Sequence, residues 1–332
     1  MNYSVKEQKK TGSFEIHNFL PEIGIDNARN EILEGLIADS KYISPKFFYN
    51  KKGSALFEEI TQLEEYYPTR CEKEILSSLI SHINFKFNNL DVIELGSGDA
   101  SKISLVFSQL SENILETIHY FAIDIDQGAI EKSIEQITDV FPVSCTGIVT
   151  DFYQHLKVLP RKNKRLFCFF GSTIGNFNPT ESGIFLNQLA DLMETGDALL
   201  LGADMIKDTA ILELAYNDRN NITEAFNKNI LHTVNTLLET NFNPDDFEHF
   251  AFYNTEAARI EMYLKASKNL EIRSKYTSQT IKIKKGEKIH TENSHKFSES
   301  KLKKMGLSAG LSLKNMFFDS QNRFSVSYFL KD

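Results

Sequence analysis

Between residues 91 and 204 the chain alternates short apolar runs with stretches of helical spacing. Asp91-Val-Ile-Glu-Leu95, His119-Tyr-Phe-Ala-Ile-Asp124, residues 143–149, Arg165-Leu-Phe-Cys-Phe-Phe170 and Asp197-Ala-Leu-Leu-Leu-Gly-Ala-Asp204 predict five strands. Residues 101–110, 127–140 and 180–194 carry apolar side chains at helical spacing between them, the last stretch stopping at Gly196. Largely apolar strands alternating with helices at this pitch predict βαβ units and a parallel sheet covered on both faces.

After residue 206 the pattern changes. Residues 208–238 read as mostly helical, and from Ala258 the chain turns to strands at 259–265 and 279–284. A short helix at 298–305 and two strands at 311–318 and 324–330 follow, joined through Asp319-Ser-Gln-Asn322. A helix and an antiparallel strand pair in that position close an α/β sheet. Residues from about 206 to 290 are therefore expected to be an insertion before the last helix, with the N-terminal 80 residues packing beside it. No internal repeat or low-complexity tract interrupts the chain, and 16 Gly and 7 Pro leave little room for long linkers.

With 332 residues, 41% apolar and 25% charged, the chain is globular in composition. Its net charge of -8 argues against wrapping nucleic acid, which needs a dense basic surface. The basic cluster at 282–288 reads as the solvated face of a strand pair. Cys71, Cys145 and Cys168 are odd in number and far apart, which predicts neither a disulfide framework nor a zinc site. Cys168, inside an apolar run, is expected to be buried. MNYSVKEQKKTGSF lacks an apolar signal core and no apolar run reaches membrane-spanning length, so a cytoplasmic protein without a membrane partner is expected.

The candidate chemistry lies at strand ends. Glu94-Leu-Gly-Ser-Gly98 follows the first strand with glycines that let the backbone approach a ligand. Asp124 ends the next strand, where a carboxylate can take two ribose hydroxyls. Asp151-Phe152 ends the third, where an acid and an aromatic ring can hold an adenine. A Gly-x-Gly alone is more often a structural turn, but three matched strand ends in order favour a nucleotide-like ligand. Position 101 is Ser rather than the third glycine of a dinucleotide fingerprint, and no phosphate-cradling Walker loop is present. S-adenosylmethionine, whose reactive end carries no phosphate, fits best, and no metal is expected.

The loop after the fourth strand, Gly171-Ser-Thr-Ile-Gly-Asn176, is where such a fold holds the methyl acceptor. An asparagine both donates and accepts hydrogen bonds, which suits an amine beside a carboxylate. The alternative for Asn176 is a cap or turn residue before Pro179.

These residues together resemble the histidine-specific N-α-methyltransferases of ergothioneine biosynthesis. The resemblance runs over nearly the whole chain. It is carried by Pro45-Lys-Phe-Phe-Tyr49, Gly53-Ser-Ala-Leu-Phe-Glu-Glu-Ile-Thr61, Glu65-Tyr-Tyr-Pro-Thr-Arg70, Glu94-Leu-Gly-Ser-Gly98, Gly171-Ser-Thr-Ile-Gly-Asn176, Phe247-Glu-His249, Arg259-Ile-Glu-Met262 and His290-Thr-Glu-Asn-Ser294. It implies a class I S-adenosylmethionine-dependent methyltransferase, an α/β Rossmann-like sheet with an inserted α+β substrate-binding domain. The donor domain is expected at 81–205 and 295–332, the amino-acid domain at 206–294 with parts of 10–80. The implied reaction is trimethylation of the histidine α-amine to hercynine, with L-histidine and its methylated intermediates as partners and the chain acting as a monomer.

Carried over by motif, Tyr49, Asn176 and Tyr216 resemble the residues that hold the amine and carboxylate, with Tyr49 and Asn176 nearest the chemistry. Tyr66, Glu292 and Ser294 resemble those that read the imidazole, and Met262 matches a position lining the side-chain pocket. Gly96, Lys102, Asp124, Asp151 and Phe152 match the donor site. Asn293-Ser-His-Lys296 departs mildly from the family pattern, but Glu292 and Ser294 keep their two-residue spacing and share one face of a strand.

Singly, Glu292 can be a surface acid and Tyr66-Tyr67-Pro68 an aromatic wedge before a helix. Together Tyr, Glu and Ser give an imidazole an acceptor for one ring N–H and a hydroxyl for the other nitrogen. No general base stands out; Tyr49 acting through a water is one route. Two rivals are a methyltransferase of another aromatic amino acid such as tryptophan, which a buried anion disfavours, and a non-catalytic nucleotide-binding module.

Overall fold

The computed structural model describes residues 7–11, 14–19, 25–152, 159, 161–277 and 279–332. The chain divides into two compact units, one formed by residues 1–21, 68–206 and 296–332, the other by 22–67 and 207–295. In chain order the strands are β1 (Glu7–Thr11), β2 (Phe14–Asn18), β3 (Leu90–Leu95), β4 (Ile118–Asp124), β5 (Ser144–Val149), β6 (Lys164–Phe169), β7 (Ala198–Asp204), β8 (Phe247–Asn254), β9 (Arg259–Ala266), β10 (Leu270–Arg273), β11 (Thr280–Ile283), β12 (Lys288–His295), β13 (Ser312–Phe318) and β14 (Phe324–Leu330).

In the first unit, nine of the described strands form one sheet in the order β1-β2-β5-β4-β3-β6-β7-β14-β13. Strands β2 to β7 are mutually parallel, while β14 and β13 close one edge antiparallel and β1 the other. Every residue of β3 and β7 is buried, as strands covered on both faces require. The order turns back at β3, which has β4 on one side and β6 on the other, so the carboxyl ends of these strands open at a topological switch point. This is the α/β, Rossmann-like sheet expected from the sequence.

Two local features set the layers over this sheet. A Cβ on Gly147 of β5 would stand 2.5 Å from Ile130 Cγ2, so glycine lets the helix Gln127–Thr138 lie close to the strand. The helix Pro179–Leu192 starts at Asn178, whose side chain caps the Thr180 and Glu181 amides while Glu181 reaches back to Asn178 N. Its Phe185 and Leu189 bury against Phe167, Phe169, Leu199 and Leu201 in the main core.

The N-terminal segment divides between the two units. Residues 14–18 join the large sheet as β2, parallel to β5, instead of packing with the insertion. Residues 25–67 fall in the second unit and 68–80 in the first. Positions 12–13 and 20–24 of the segment lie outside the described residues.

The second unit holds an antiparallel three-stranded sheet, β12-β9-β8, and a hairpin of β10 and β11. Alternation along β9 buries Ile260, Met262 and Leu264 on one face, against which the helix Ile222–Leu238 packs. That helix also meets the helix Lys51–Gln62, with Phe48 and Phe226 stacked at 4.5 Å between ring centroids. Of β8, β10 and β11, the spacing predicts only β11. Lys282, on β11, is exposed as a solvated strand face requires. All three cysteines are buried thiols, and among the described residues no cluster could hold a metal and no helix is long and apolar enough to cross a membrane.

Candidate active site

The first unit gathers the strand-end residues. Gly96 (φ +76°) and Gly98 (φ +51°) both adopt the left-handed conformation that glycine tolerates, and the Gly96 amide donates to the Ile123 carbonyl at 2.8 Å. The turn after β3 is thereby tied to the end of β4. There Asp124 Oδ1 accepts from the amides of Ile125 at 2.7 Å and Asp126 at 3.1 Å, which fixes the carboxylate at the strand end. Burial raises its pKa, and backbone hydrogen bonds, including one from Gly98, counter that shift. Phe152 presents its ring beside Gly96 and packs edge-on against Phe169, at 5.6 Å between centroids. Asp151, just before it, is half-buried.

Glu94 lies beneath this turn. Burial pushes its carboxyl up to about 8, against the hydrogen bond from Tyr120 (2.6 Å) and the charge of Lys102. Burial thus works against a negative charge below the glycines.

The loop Gly171–Asn176 follows β6 and is held from three sides. Gly171 N donates to both carboxylate oxygens of Glu72 at 2.9 Å. Ser172 (φ +57°) accepts from the Asp204 amide at 2.9 Å. Asp204 is paired in turn with Lys296 at 2.7 Å, both about 1% exposed. Thr173 Oγ1 donates to the Phe170 carbonyl. Asn176 ends the short 3-10 turn Thr173–Asn176, half-buried. The helix cap is Asn178, so Asn176 is not the cap, and its amide makes no hydrogen bond among the described residues.

The second unit brings the other expected residues together. Tyr49, Phe57 and Phe226 pack edge-on or tilted at about 6 Å, and Tyr66 packs against Phe57 and Tyr216 at 6.3 Å. Tyr49 is set by its neighbours: Asn229 donates to the Phe48 carbonyl, and Asn50 caps the Lys51–Gln62 helix while donating to Thr233. The Tyr216 hydroxyl donates to Ser294 Oγ at 2.8 Å. Glu292 lies directly across from Met262 in the β12–β9 pairing, and Ser294 across from Ile260. Met262, Glu292, Ser294 and Tyr216 are all buried. Glu292 is thus no surface acid. A carboxylate, a thioether and a hydrogen-bonded hydroxyl pair are thus buried close together on β12, β9 and Tyr216. Six of the seven expected substrate residues lie in this unit, and Asn176 lies in the first.

A family model for S-adenosylmethionine-dependent, histidine-specific methyltransferases matches residues 28–331. The histidine N-alpha-methyltransferase of Mycolicibacterium smegmatis is 36% identical over 300 residues, covering 90% of this chain and 93% of that one. The chain belongs to the histidine-specific methyltransferase family. Ergothioneine biosynthesis protein 1 of Neurospora crassa is 31% identical over 79% of this chain and 30% of its own length. An L-tryptophan methyltransferase of Psilocybe serbica is 25% identical, covering 90% and 91%.

In this member of the histidine-specific methyltransferase family one residue of the site escaped the sequence reading. Glu72, on the helix Tyr67–Leu76, is fully buried and joins the loop Gly171–Asn176 to Lys102. Its carboxylate binds the Gly171 amide and pairs with Lys102 Nζ at 2.9 Å. A Cβ on Gly202 of β7 would stand 2.0 Å from Glu72 Oε1, so glycine there leaves the space the carboxylate fills. Glu72 and Gly202 are 130 positions apart, and neither belongs to a strand-end motif; an acid on a mostly buried helix face was the only available signal.

Asp124→Ala removes the carboxylate fixed at the end of β4. S-adenosylhomocysteine affinity measured by calorimetry is expected to fall by about 1.5–3 kcal/mol, roughly 10- to 150-fold. Unchanged affinity would take Asp124 out of the donor site.

Proposed function

We infer that this protein methylates the α-amino nitrogen of L-histidine with S-adenosylmethionine, three times in succession, giving hercynine for ergothioneine synthesis. The observation that carries this reading is the match of nine-tenths of the chain to histidine N-alpha-methyltransferases. The buried placement of Glu292 beside Met262 and near Ser294 supports histidine over tryptophan, because an imidazole has two ring nitrogens to engage a carboxylate and a hydroxyl, whereas an indole has a single N–H.

The residues divide by role. Gly96, Asp124, Asp151 and Phe152 are proposed to hold the nucleoside of the donor, and Lys102 its charged amino-acid end. The open glycine turn and the tethered Asp124 carboxylate suit a ribose and a close backbone approach. When bound, the donor supplies an electrophilic methyl on a sulfonium. Asn176 and Tyr49 are proposed to orient the amine and carboxylate, while Tyr66, Tyr216, Glu292 and Ser294 read the imidazole and Met262 fills the remaining wall.

The α-amine of a free amino acid is mostly protonated at neutral pH, so a proton leaves before each transfer. An in-line displacement asks of the protein chiefly alignment, within about 3–3.5 Å of the reacting atoms. The product carries a fixed positive charge, which the faces of Tyr49 and Tyr66 can accommodate as methyls accumulate. We take the protein to act as a monomer in the cytoplasm, without nucleic-acid or membrane partners; the net charge of -8 supports the absence of a nucleic-acid partner.

Mass spectrometry of histidine incubated with the protein and excess S-adenosylmethionine tests the function. Mono-, di- and trimethylhistidine are expected to appear in order, with the trimethyl form final. No methylation, or arrest at the monomethyl stage, would overturn the assignment.

A further inference from the structure

Strand β12 does not alternate regularly. His290 lies opposite Tyr263 and Glu292 opposite Met262, which are successive residues of β9, so Thr291 is an extra residue in a β-bulge. Successive residues of a strand face opposite sides, so His290 and Glu292 do as well. The His290 ring stands edge-on to Tyr263, 5.2 Å between centroids, on the outer face. Thr291 and Glu292 are both buried, at 0% and 8% exposure. In an unbulged strand these neighbours would face opposite ways, and an inward Thr291 would put the Glu292 carboxylate on the outer face. The bulge therefore decides which side of the sheet Glu292 serves.

A chain of hydrogen bonds, buried at Thr291 and half-buried at His249, grips the bulge. Thr291 Oγ1 donates to Asn227 Oδ1 at 2.7 Å. Asn227 Nδ2 lies 3.0 Å from the Tyr263 carbonyl, which only accepts, so this end of the amide is the NH2 group. Its other hydrogen meets His249 Nδ1 at 2.9 Å, which must then be bare. His249 Nε2 lies 2.8 Å from the Tyr216 carbonyl, again an acceptor only, so Nε2 carries the proton. One neutral tautomer satisfies every group, and burial, which lowers the His249 pKa, favours that state. The chain ends at Tyr216, whose hydroxyl returns to β12 at Ser294.

We propose that Thr291, Asn227 and His249 are positioning residues that set amino-acid specificity. They lock the bulge that turns Glu292 to the Met262 face, and they fix Tyr216 against Ser294. The inference rests on reading Glu292, Ser294 and Tyr216 as imidazole-binding groups and goes beyond it, because none of the three proposed residues needs to touch substrate. It also gives a physical role to Phe247-Glu-His249, a family motif otherwise without one.

Three variants test it. His249→Phe keeps ring volume and removes both hydrogen bonds. His249→Gln supplies one donor for the Tyr216 carbonyl and one acceptor for Asn227. Thr291→Val removes only the hydroxyl. KM and kcat for histidine, a histidine–tryptophan competition, and S-adenosylhomocysteine affinity are measured for each.

His249→Phe is expected to raise the histidine KM roughly 5- to 150-fold and to lower histidine preference by a similar factor. Donor affinity should stay within about twofold. Thr291→Val should move both quantities in the same direction by a smaller factor, and His249→Gln should recover most of the loss. Wild-type KM and preference in His249→Phe and Thr291→Val would overturn the proposal, as would a Gln variant no better than Phe. Should His249→Phe fail to fold, Thr291→Val and His249→Gln decide the matter. Wild-type protein that leaves histidine unmethylated refutes the proposed function itself and this inference with it, so the two failures are distinguishable.

Discussion

Glu72→Ala is expected to reduce both stability and turnover while leaving the overall fold in place. The wild-type carboxylate is fully buried, binds the Gly171 amide and neutralises Lys102, whose side chain keeps about a quarter of its surface in water. Removing one partner of a buried ion pair costs about 3–5 kcal/mol, and the partial exposure of Lys102 places this case at about 3. The melting temperature should fall by on the order of 5 °C or more. The larger effect falls on the chemistry. Gly171 opens the loop that ends at Asn176, and a displacement of about 1 Å at a positioning residue can lower a rate about 100-fold.

Glu72→Gln separates the two contributions. Its amide oxygen can still accept from Gly171, but its neutral side chain no longer balances Lys102. It should keep much of kcat and lose part of the donor affinity if Lys102 serves the donor. Thermal melts, kcat for histidine and calorimetry with S-adenosylhomocysteine check each quantity. Wild-type turnover in Glu72→Ala would show that Ser172 and Thr173 hold the loop without it.

Glu292→Ala should change which amino acid the protein prefers. Glu292 is buried opposite Met262, with Ser294 two residues on. Losing the acceptor for a buried imidazole N–H costs about 1–3 kcal/mol, a rise of roughly 5- to 150-fold in the apparent constant for histidine. The Glu292 contacts lie in the second unit and the Asp124 turn in the first, so S-adenosylhomocysteine affinity should barely move. The same change removes an anion that an indole or phenyl ring disfavours, so relative activity on tryptophan and phenylalanine should rise. A competition between histidine and tryptophan, read by mass spectrometry, gives the ratio directly. Full histidine preference in Glu292→Ala would mean that Glu292 does not read the ring.

The two ends of the proposed site are unequally legible. The donor end was readable because its signals are local: an apolar strand, then a glycine turn or an acid, repeated at β3, β4 and β5. The loop after β6 was located for the same reason. The competing reading of Asn176 as a helix cap is settled by the structure, where Asn178 and Glu181 form the capping box. The amino-acid end was legible mainly through family resemblance, because Tyr49, Tyr66, Tyr216, Met262, Glu292 and Ser294 are scattered over 246 positions (49 to 294).

The sequence by itself determined the alternation of strands and helices, the glycine turn after β3, the acids at the ends of β4 and β5, and the family. Periodicity, turn chemistry and short motifs are set by neighbours within a few residues, and those neighbours are in the string. Only the tertiary structure decided that Glu72 reaches Gly171, 99 positions away. Only it decided that β2 pairs with β5, and that a bulge at Thr291 turns Glu292 to the Met262 face. A one-residue slip reverses the facing of every side chain beyond it, and the partners that set it here, Asn227 and Met262, lie 64 positions away along the chain or on a neighbouring strand. Such pairings depend on which surfaces meet after collapse, and no local pattern in the chain carries that information.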